Sequence, residues 1–531
     1  MRRAGALQRV HSARGLWLAA CGTLAPFAPA LMAAAAVYLG LYYGLDDFPL
    51  FDVDEGAFSE ATREMLERGD FVTPYLNGQL RFDKPILIYW LQALSVKAFG
   101  VGEFGFRLPS ALAATAWCAA IMVFVRQQAD AATGYAAALL AATSLGVTAI
   151  GRGATADALL NLLLALAMFD MLRYLQQPLA RYRRRAFLWI GLGLLAKGPV
   201  ALLIPGAVSC AAYALHGKWT LWSRAARDPL GWAILLAVAA PWYVLEYQRQ
   251  GNAFLAGFFM RHNVERYLSP LQGHAGSLFY YLPVALLLLL PYSGLLLRVL
   301  PRLRAWRASP VDTFLWCWFG FVLVFFSLAG TKLPHYLLYG ATPLFVLMAL
   351  HRHTLQSRLL AFLPPVLLLA ALVALPHALQ WLGPSIPNAY QREALTQTDV
   401  FGGGWHVATS VLLLAVLALA LVPHGALWTR LAVAGLLCSF AVTGWLVPAL
   451  GALQQTPVKE AALVARGAGL AVRTWYFNMP SVSVYRRAVT PRARVLRPGE
   501  VILTRSDKLH ELGPLQVLYR KGGVVLVRLR P

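Results

Sequence analysis

Charge is scarce in this chain. Only 13% of its 531 residues are Asp, Glu, Lys or Arg, and just 24 are acidic. A soluble domain carries about a quarter charged residues, so an ordinary water-soluble enzyme is excluded. Cysteine is scarcer: Cys21, Cys118, Cys210, Cys317 and Cys438 are scattered and odd in number. All five fall in apolar runs, where they read as small core residues rather than disulfide partners or metal ligands. No P-loop or dinucleotide fingerprint is present, no cytoplasmic domain could hold a nucleotide, and no nucleic-acid partner is expected. What is abundant is apolar surface, 59% of the residues with a mean hydropathy of +0.57.

The apolar residues gather in runs long enough to cross a bilayer core of roughly 30 Å. Thirteen candidate spans follow, near 16–43, 104–125, 131–150, 156–175, 186–196, 198–215, 229–247, 277–297, 312–329, 334–350, 359–382, 406–422 and 427–448. The fifth and sixth are separated at Lys197-Gly198-Pro199, because Gly-Pro behind a charge is poor chemistry for a helix interior. Loop charge supports the division. With thirteen spans and an inner amino terminus, the short inner segments hold 20 Lys or Arg and the short outer ones seven. That is the sense of the positive-inside bias. The long first loop, 44–104, has eleven acids against five bases and falls on the outer side. The chain is expected to be a polytopic α-helical membrane protein.

Two regions stand apart from the spans. Residues 1–451 form the transmembrane part, and 452–531 a tail with fourteen bases and four acids. Apolar alternation predicts strands at 471–477, 501–504, 515–519 and 524–529, a Lys521-Gly522-Gly523 hairpin turn and a helix over 457–466. A small outer α/β domain results. Its basicity suits either anionic membrane lipids or a solubilising surface. In the first loop, Phe58, Ala61, Thr62, Met65 and Leu66 share one helical face and Glu60, Arg63, Glu64, Glu67 and Arg68 the other. That pattern predicts a helix lying in the membrane interface. A second surface-lying helix is predicted from Pro85 to Phe99.

Ionisable residues beside a membrane are costly and point to function. Five clusters stand out: Asp52–Glu55, Arg81–Pro85, Gly151–Asp157, Arg261–Tyr267 and Thr331–Tyr336. The topology puts all five on the outer side, as one composite site requires. Each also has a plainer reading. Asp157, with Thr155 as cap, suits the first turn of the fourth span. Asp54 and Glu55 suit the start of the interfacial helix, and Lys332 could snorkel to the interface. His262 and Arg266 lie in a loop, where polar residues need no special reason. Taken functionally, Lys84, Lys332 and Arg266 supply cations for a phosphate. Asp54 supplies a general base or a partner for a cationic transition state. Asp83 and His262 are the pair able to share a divalent metal.

These residues carry a resemblance. Phe51–Met65, Asn77–Trp90 and Phe104–Pro109, followed in order by Gly151–Asp157, His262–Tyr267 and Lys332–Tyr336, closely resemble the bacterial branch of the protein mannosyltransferase-like glycosyltransferases. That group includes the aminoarabinose transferase that decorates lipid A. The resemblance implies a GT-C-type fold of about thirteen transmembrane helices with a periplasmic tail domain, in the bacterial inner membrane. It implies an inverting enzyme that takes a sugar from polyprenyl (undecaprenyl) phosphate and passes it to an acceptor at the periplasmic face. Asp54 then corresponds to the principal catalytic carboxylate, with Glu55 beside it and Asp157 as a second acid. Lys84 corresponds to a lipid-phosphate ligand, with Arg266 and Tyr336 beside that phosphate.

Departures from the aminoarabinose transferases are plain: Ala57 and Phe58 where those carry Arg-Tyr, Asp83 in place of Glu, and His262-Asn263 in place of Glu-His. The lipid-linked donor is thus better supported than aminoarabinose. The acceptor stays open among lipid A, another envelope glycan and protein, and it reacts through either a hydroxyl or a phosphate. Two further readings remain: a transporter or lipid flippase, which calls for related halves and broken helices at the midplane, and a scaffold whose basic tail recruits a partner.

Overall fold

The computed structural model describes residues 27–269, 273 and 276–530. The basic segment 1–15, Cys21 and the first part of the 16–43 span lie outside the described residues. Within them the chain is a helical bundle with a small sheet near its carboxyl end. Seven helices are long and apolar enough to cross a membrane, among them Glu103–Gln128, Asp157–Gln176 and Pro229–Gln250. The pair Ala131–Ala142 and Leu145–Arg152, bent by 66°, makes an eighth.

The other five expected spans are shorter or interrupted among the described residues. Ala28–Tyr42 and Val200–Leu215 are short apolar helices, and Ala180–Lys197 opens with four arginines within its first six residues. The 277–297 stretch is broken into Tyr281–Leu288 and Ser293–Val299 around Pro291, and 334–350 begins as a 3-10 turn, Pro334–Gly340, before Ala341–His351. The Lys197-Gly198-Pro199 break is present: one helix ends at Lys197, Gly198 takes a positive φ of 84°, and the next helix begins at Val200. Packing is close where helices cross; Phe124 and Phe169 stack with ring centroids 4.1 Å apart. Cys118, Cys210, Cys317 and Cys438 are free.

The tail folds much as its alternation predicts. The helix Thr456–Gly467 precedes strands β1 (Val472–Thr474), β2 (Val501–Arg505), β3 (Leu515–Lys521) and β4 (Val524–Leu529), ordered β1-β2-β4-β3. The β1–β2 pair is parallel and the other two antiparallel. One element had no clear signal in the sequence: the short helix Ser481–Arg486, which packs on the helix Asp54–Arg68.

That packing corrects the expectation for the first loop. Asp54–Arg68 is helical, but its polar face does not lie open to solvent: Glu60, Arg63 and Glu64 are all buried. Arg63 donates to both oxygens of Glu60, at 2.7 and 2.6 Å. Glu64 accepts from Arg68 and from the Gly78 amide. The helix is therefore an internal wall between bundle and tail rather than an interfacial float. The second predicted helix spans Leu87–Phe99, starting two residues past Pro85, and leaves Leu94 and Phe99 exposed.

Two polar devices hold the first loop in place. The first is Arg107, fully buried in the helix Glu103–Gln128. Its Nε and Nη2 donate to the two oxygens of Glu55 at 2.9 and 2.8 Å, and Nη1 and Nη2 also donate to the carbonyls of Leu45, Phe48 and Pro49. All five guanidinium N–H groups are thus engaged. Glu55 in turn accepts from the amides of Phe51 and Ala154 at 2.7 Å each. The second device joins loop and tail. Asp52 accepts from the Ser481 amide at 3.0 Å and pairs with the Ser481 hydroxyl. Tyr485 accepts from the Leu50 amide at 2.7 Å and donates to Glu103, which also pairs with Lys459. Gly56 makes room for this seam: a Cβ there would fall 1.9 Å from Asp52 Oδ1 and 2.6 Å from the Ser481 nitrogen.

Removing one partner of a buried ion pair strands the other charge, at a cost of about 3–5 kcal/mol. Arg107→Ala will therefore lower the thermal unfolding midpoint of the detergent-purified chain by several degrees. Arg107→Lys will recover little of it, because one ammonium cannot make five fixed bonds. Asp52 supplies a pH test. Burial raises its carboxyl to about 7, with Glu55 adding to the rise and Ser481 opposing it. The folded state thus holds this proton more tightly than the unfolded one, so the stabilisation is full at acid pH and is lost as pH rises through about 7. The drop in unfolding midpoint from about pH 6 to about pH 8 will be smaller in Asp52→Asn than in the parent chain.

Candidate active site

The site is assembled at the ends of helices that the sequence spreads over nearly three hundred residues. A cavity of about 420 Å³ opens between the loop Arg81–Pro85, the Lys197–Val200 break, the segment Phe259–Leu268 and the turn before Ala341–His351. Lys84, Lys197 and Arg266 line it, with Asp83, His262, Tyr336 and Tyr339. Phe259, Phe325, Phe326 and Leu203 complete an apolar wall. A charged end against an apolar wall suits a ligand of the same two-part chemistry.

Each cation has a local reason for its place. Lys84 precedes Pro85 and the helix Leu87–Phe99; its ammonium donates to the Asp83 carbonyl at 3.0 Å. Burial and the nearby charges of Lys197 and Arg266 push Lys84 down to about 7. Lys197 closes its helix, where a cation meets the negative end of the dipole. The turn beyond it must be glycine: φ is positive, and a Cβ on Gly198 would meet the Phe258 ring at 2.7 Å. Arg266 follows a π-helical segment, Leu255–Glu265, and its guanidinium lies 5.9 Å from the Tyr336 ring centre. Its buried Nε has no hydrogen-bond partner among the described residues.

Asp157 opens the helix Asp157–Gln176, but it does not act as a mere dipole partner. Its carboxylate pairs with Lys197, accepts from the Tyr339 hydroxyl at 2.9 Å and lies 3.7 Å from His335 Nε2. Thr155 is not its cap; Ala156 stands at that position and no side chain caps the turn. Asp157 thus orients Lys197, and Lys197, His335 and Tyr339 are site residues that the candidate set lacked. Lys197 had marked only a helix break, while His335 and Tyr339 sit in and just after the Lys-Leu-Pro-His-Tyr motif.

Asp54 stands apart from the cavity wall. It is exposed at the start of its helix, with no side-chain capping bond there and no hydrogen-bond partner for its carboxylate among the described residues. It remains close enough to interact electrostatically with Arg81, His335 and Tyr336. The arrangement is a cationic, partly apolar cavity beside an uncommitted carboxylate.

Two expected site residues are used differently. Glu55 is saturated by Arg107, Phe51 and Ala154, so it has no lone pair to spare for a substrate. Lys332 is buried, does not line the cavity, and donates to the carbonyls of Ser327 and Ala329 at 2.8 and 2.7 Å. It satisfies carbonyls at the end of the helix Pro310–Leu328, a role its charge suits.

The Asp83–His262 pair by itself offers a metal two donors, with His262 Nε2 and Asp83 Oδ1 3.9 Å apart, and Asp83 also pairs with Arg81 at 3.0 Å. Lys84 and Arg266 stand beside His262 and, with burial, lower its basicity. Among the described residues no group of three His, Cys, Asp or Glu could hold an ion. A divalent cation needs more oxygen or nitrogen donors and fewer neighbouring cations.

Known proteins resemble the chain in sequence and in fold. Residues 83–244 match the family model described as dolichyl-phosphate-mannose-protein mannosyltransferase. The chain is 32% identical over 327 residues to the undecaprenyl phosphate-alpha-4-amino-4-deoxy-L-arabinose arabinosyl transferase of Aeromonas salmonicida, covering 60% of this chain and 59% of that relative. It is 33% identical over 342 residues to the protein of the same name from Pseudomonas aeruginosa, covering 61% and 59%. The matched part thus spans about three fifths of these relatives' length. Crystal structures of ArnT from Cupriavidus metallidurans align along almost the whole chain. The apo form gives a TM-score of 0.77 at 23% identity, covering 96% of this chain and 98% of that one. The form bound to undecaprenyl phosphate gives 0.76 at 22%, covering 94% and 97%. The archaeal oligosaccharyltransferase AglB from Archaeoglobus fulgidus shares the architecture more loosely, at a TM-score of 0.53 and 12% identity, covering 91% and 70%. Residues 83–244 thus carry the segment of the protein mannosyltransferase model, and the chain as a whole shares its fold with the ArnT crystal structures.

Proposed function

We propose that this protein is a membrane glycosyltransferase that takes a sugar from a polyprenyl-phosphate donor and passes it, with inversion, to an acceptor at the periplasmic face of the bacterial inner membrane. The observation that carries this reading is the convergence of Lys84, Lys197 and Arg266 on one cavity with an apolar aromatic wall. Three cations are excessive for a neutral ligand, and the wall is excessive for a soluble anion; a lipid phosphate answers to both. The loop-charge asymmetry supports the outer orientation.

The chemistry follows from the placement. The donor's phosphodiester sits among Lys84, Lys197 and Arg266, and its isoprenoid chain leaves along Phe325 and Phe326. As the bond from the anomeric carbon to the phosphate oxygen breaks, the leaving polyprenyl phosphate gains negative charge. Fixed cations in a site shielded from water stabilise that charge more than they stabilise the donor. The acceptor enters from the side of Asp54. A hydroxyl acceptor gives its proton to the Asp54 carboxylate as its oxygen bonds the anomeric carbon. An anionic phosphate acceptor needs no base, and Asp54 then stabilises positive charge developing on the sugar. The named relatives point to an aminopentose donor, and the resemblance of the motifs makes lipid A the acceptor to try first. The Asp83–His262 pair enters no step. The basic tail, residues 452–531, stands on the same face as a separate domain, in contact with the catalytic loop.

In vitro transfer from a panel of polyprenyl-linked sugars tests the reading. Asp54→Asn will reduce turnover by about 10²–10⁴-fold while the thermal midpoint stays unchanged, because the carboxylate makes no fold-supporting bond. Turnover equal to the parent's would remove Asp54 from the mechanism. Lys84 gives a second outcome. The donor phosphodiester keeps its charge across neutral pH, whereas Lys84 loses its own as pH rises through about 7. Donor affinity will therefore fall from about pH 6 to about pH 8.5. Lys84→Arg, which stays charged, will flatten that profile.

A further inference from the structure

The bundle has a larger cavity at the opposite end. It measures about 860 Å³ and lies between the helices Glu103–Gln128, Asp157–Gln176 and Ala180–Lys197. Asp157 opens the middle helix and Arg173 stands sixteen residues on, so the arginine-lined end of this cavity lies about 24 Å along the axis from Asp157. The reaction proposed above makes no use of this place.

Its character changes along its length. At one end Ala116, Ala119, Ala120 and Val123 run along one helix and Leu162 and Leu166 along its neighbour. Alanines at i, i+3 and i+4 face the same way and leave a furrow where larger residues would fill the gap. One helix runs from Ala116 to Gln127, about 16 Å, a length suited to an acyl chain. At the other end stand Gln127, Gln128, Arg173, Arg181 and Arg185, with Trp189 beside them.

Hydrogen bonding at that end is unbalanced. Asp170 is the one acid lining the cavity, and it is buried. It accepts from Arg173 at 3.0 Å, from Arg185 Nε at 2.9 Å and from the Trp189 indole at 3.0 Å. The Gln127 oxygen accepts twice from Arg173, and the Gln128 oxygen accepts from Gln176. Arg181 donates once, to the Tyr182 hydroxyl. The acceptors facing the arginines are thus consumed. The amide N–H groups of Gln127 and Gln128, Nη1 of Arg185 and the remaining N–H groups of Arg181 have no protein acceptor among the described residues. Three arginines against one aspartate leave a surplus of two positive charges.

We propose that this furrow is a binding site for a phospholipid with an anionic head group. Its acyl chain lies on the alanine floor, and its phosphate accepts from Arg181, Arg185 and the two glutamine amides. Charge complementarity selects the anionic lipid over a zwitterionic one, whose ammonium meets a mouth already positive. The site is separate from the donor cavity in place and in chemistry, so its test does not depend on transferase activity.

The test is native mass spectrometry of the full chain released from nanodiscs of equal phosphatidylglycerol and phosphatidylcholine. The parent chain is expected to retain phosphatidylglycerol in preference to phosphatidylcholine. Arg181→Gln/Arg185→Gln will cut that preference roughly tenfold or more, at about a kcal/mol for each cation, while Arg173 and Trp189 continue to hold Asp170. Ala119→Leu, which fills the furrow, will reduce retention of both lipids. Arg302→Gln/Arg304→Gln, at exposed arginines elsewhere, will change neither. If the double variant unfolds, Arg181→Gln alone and Ala119→Leu still decide the matter. Equal retention of the two lipids by the parent chain overturns the proposal. So does an unchanged preference in the Arg181 variants, or displacement of the lipid by millimolar inorganic phosphate alone.

Discussion

A single buried ion pair, Glu55 with Arg107, ties the first loop to the bundle. Arg107 uses every guanidinium N–H, and Glu55 answers with both oxygens while also accepting two backbone amides. The bonds gather three stretches: the turn Leu45–Pro49, the start of the helix bearing Asp54, and the Ala154 turn just before Asp157. A buried charge pair is a weak source of stability in itself, since desolvation offsets most of the attraction. Its value here is geometric: a planar fork with five fixed donors leaves the surrounding backbone little freedom. The two carboxylates that matter to the chemistry flank this knot, one on each side.

From that frame the site divides its charges. Asp157 is committed to Lys197, Tyr339 and His335 and so positions a cation; Asp54 is committed to nothing. The same residue type is bound into the scaffold in one place and left available in the other, and the difference is the company each keeps. Burial, and after it the crowding of the cations, lowers the basicity of Lys84. On the reading proposed here, an incoming lipid phosphate relieves that repulsion, a form of preorganisation. The tail domain contributes at one remove, through Ser481 on Asp52 and Tyr485 on Leu50, both within four residues of Asp54.

Much of this was legible in the residues alone, and particular cases show why some was not. Long apolar runs and period-two alternation are local, so the bundle, the Gly198 break and the strands β1 to β4 could be read directly. The helix Asp54–Arg68 was legible as a helix but not in its surroundings. Its charged face looks solvated because no local pattern announces a covering domain four hundred residues later. Lys332 and Glu55 misled for a related reason: each lies in a motif rich in site residues, yet a motif does not reveal which side chain turns inward to satisfy backbone groups. Lys197 was overlooked because its neighbours Gly198 and Pro199 explained the position well enough as a helix break.

The sequence by itself determined that this is a membrane-spanning helical protein with a small α/β tail, and that its polar motifs collect on one side. Those properties follow from hydropathy, periodicity and loop charge, each a sum over neighbouring residues. Only the tertiary structure decided which charges pair off and which stay available. Pairing depends on distances between residues far apart in the chain, such as Glu55 with Arg107, Asp157 with Lys197, and Asp52 with Ser481. A carboxylate becomes structural or reactive according to whether such a partner arrives, and the folded chain alone brings it there.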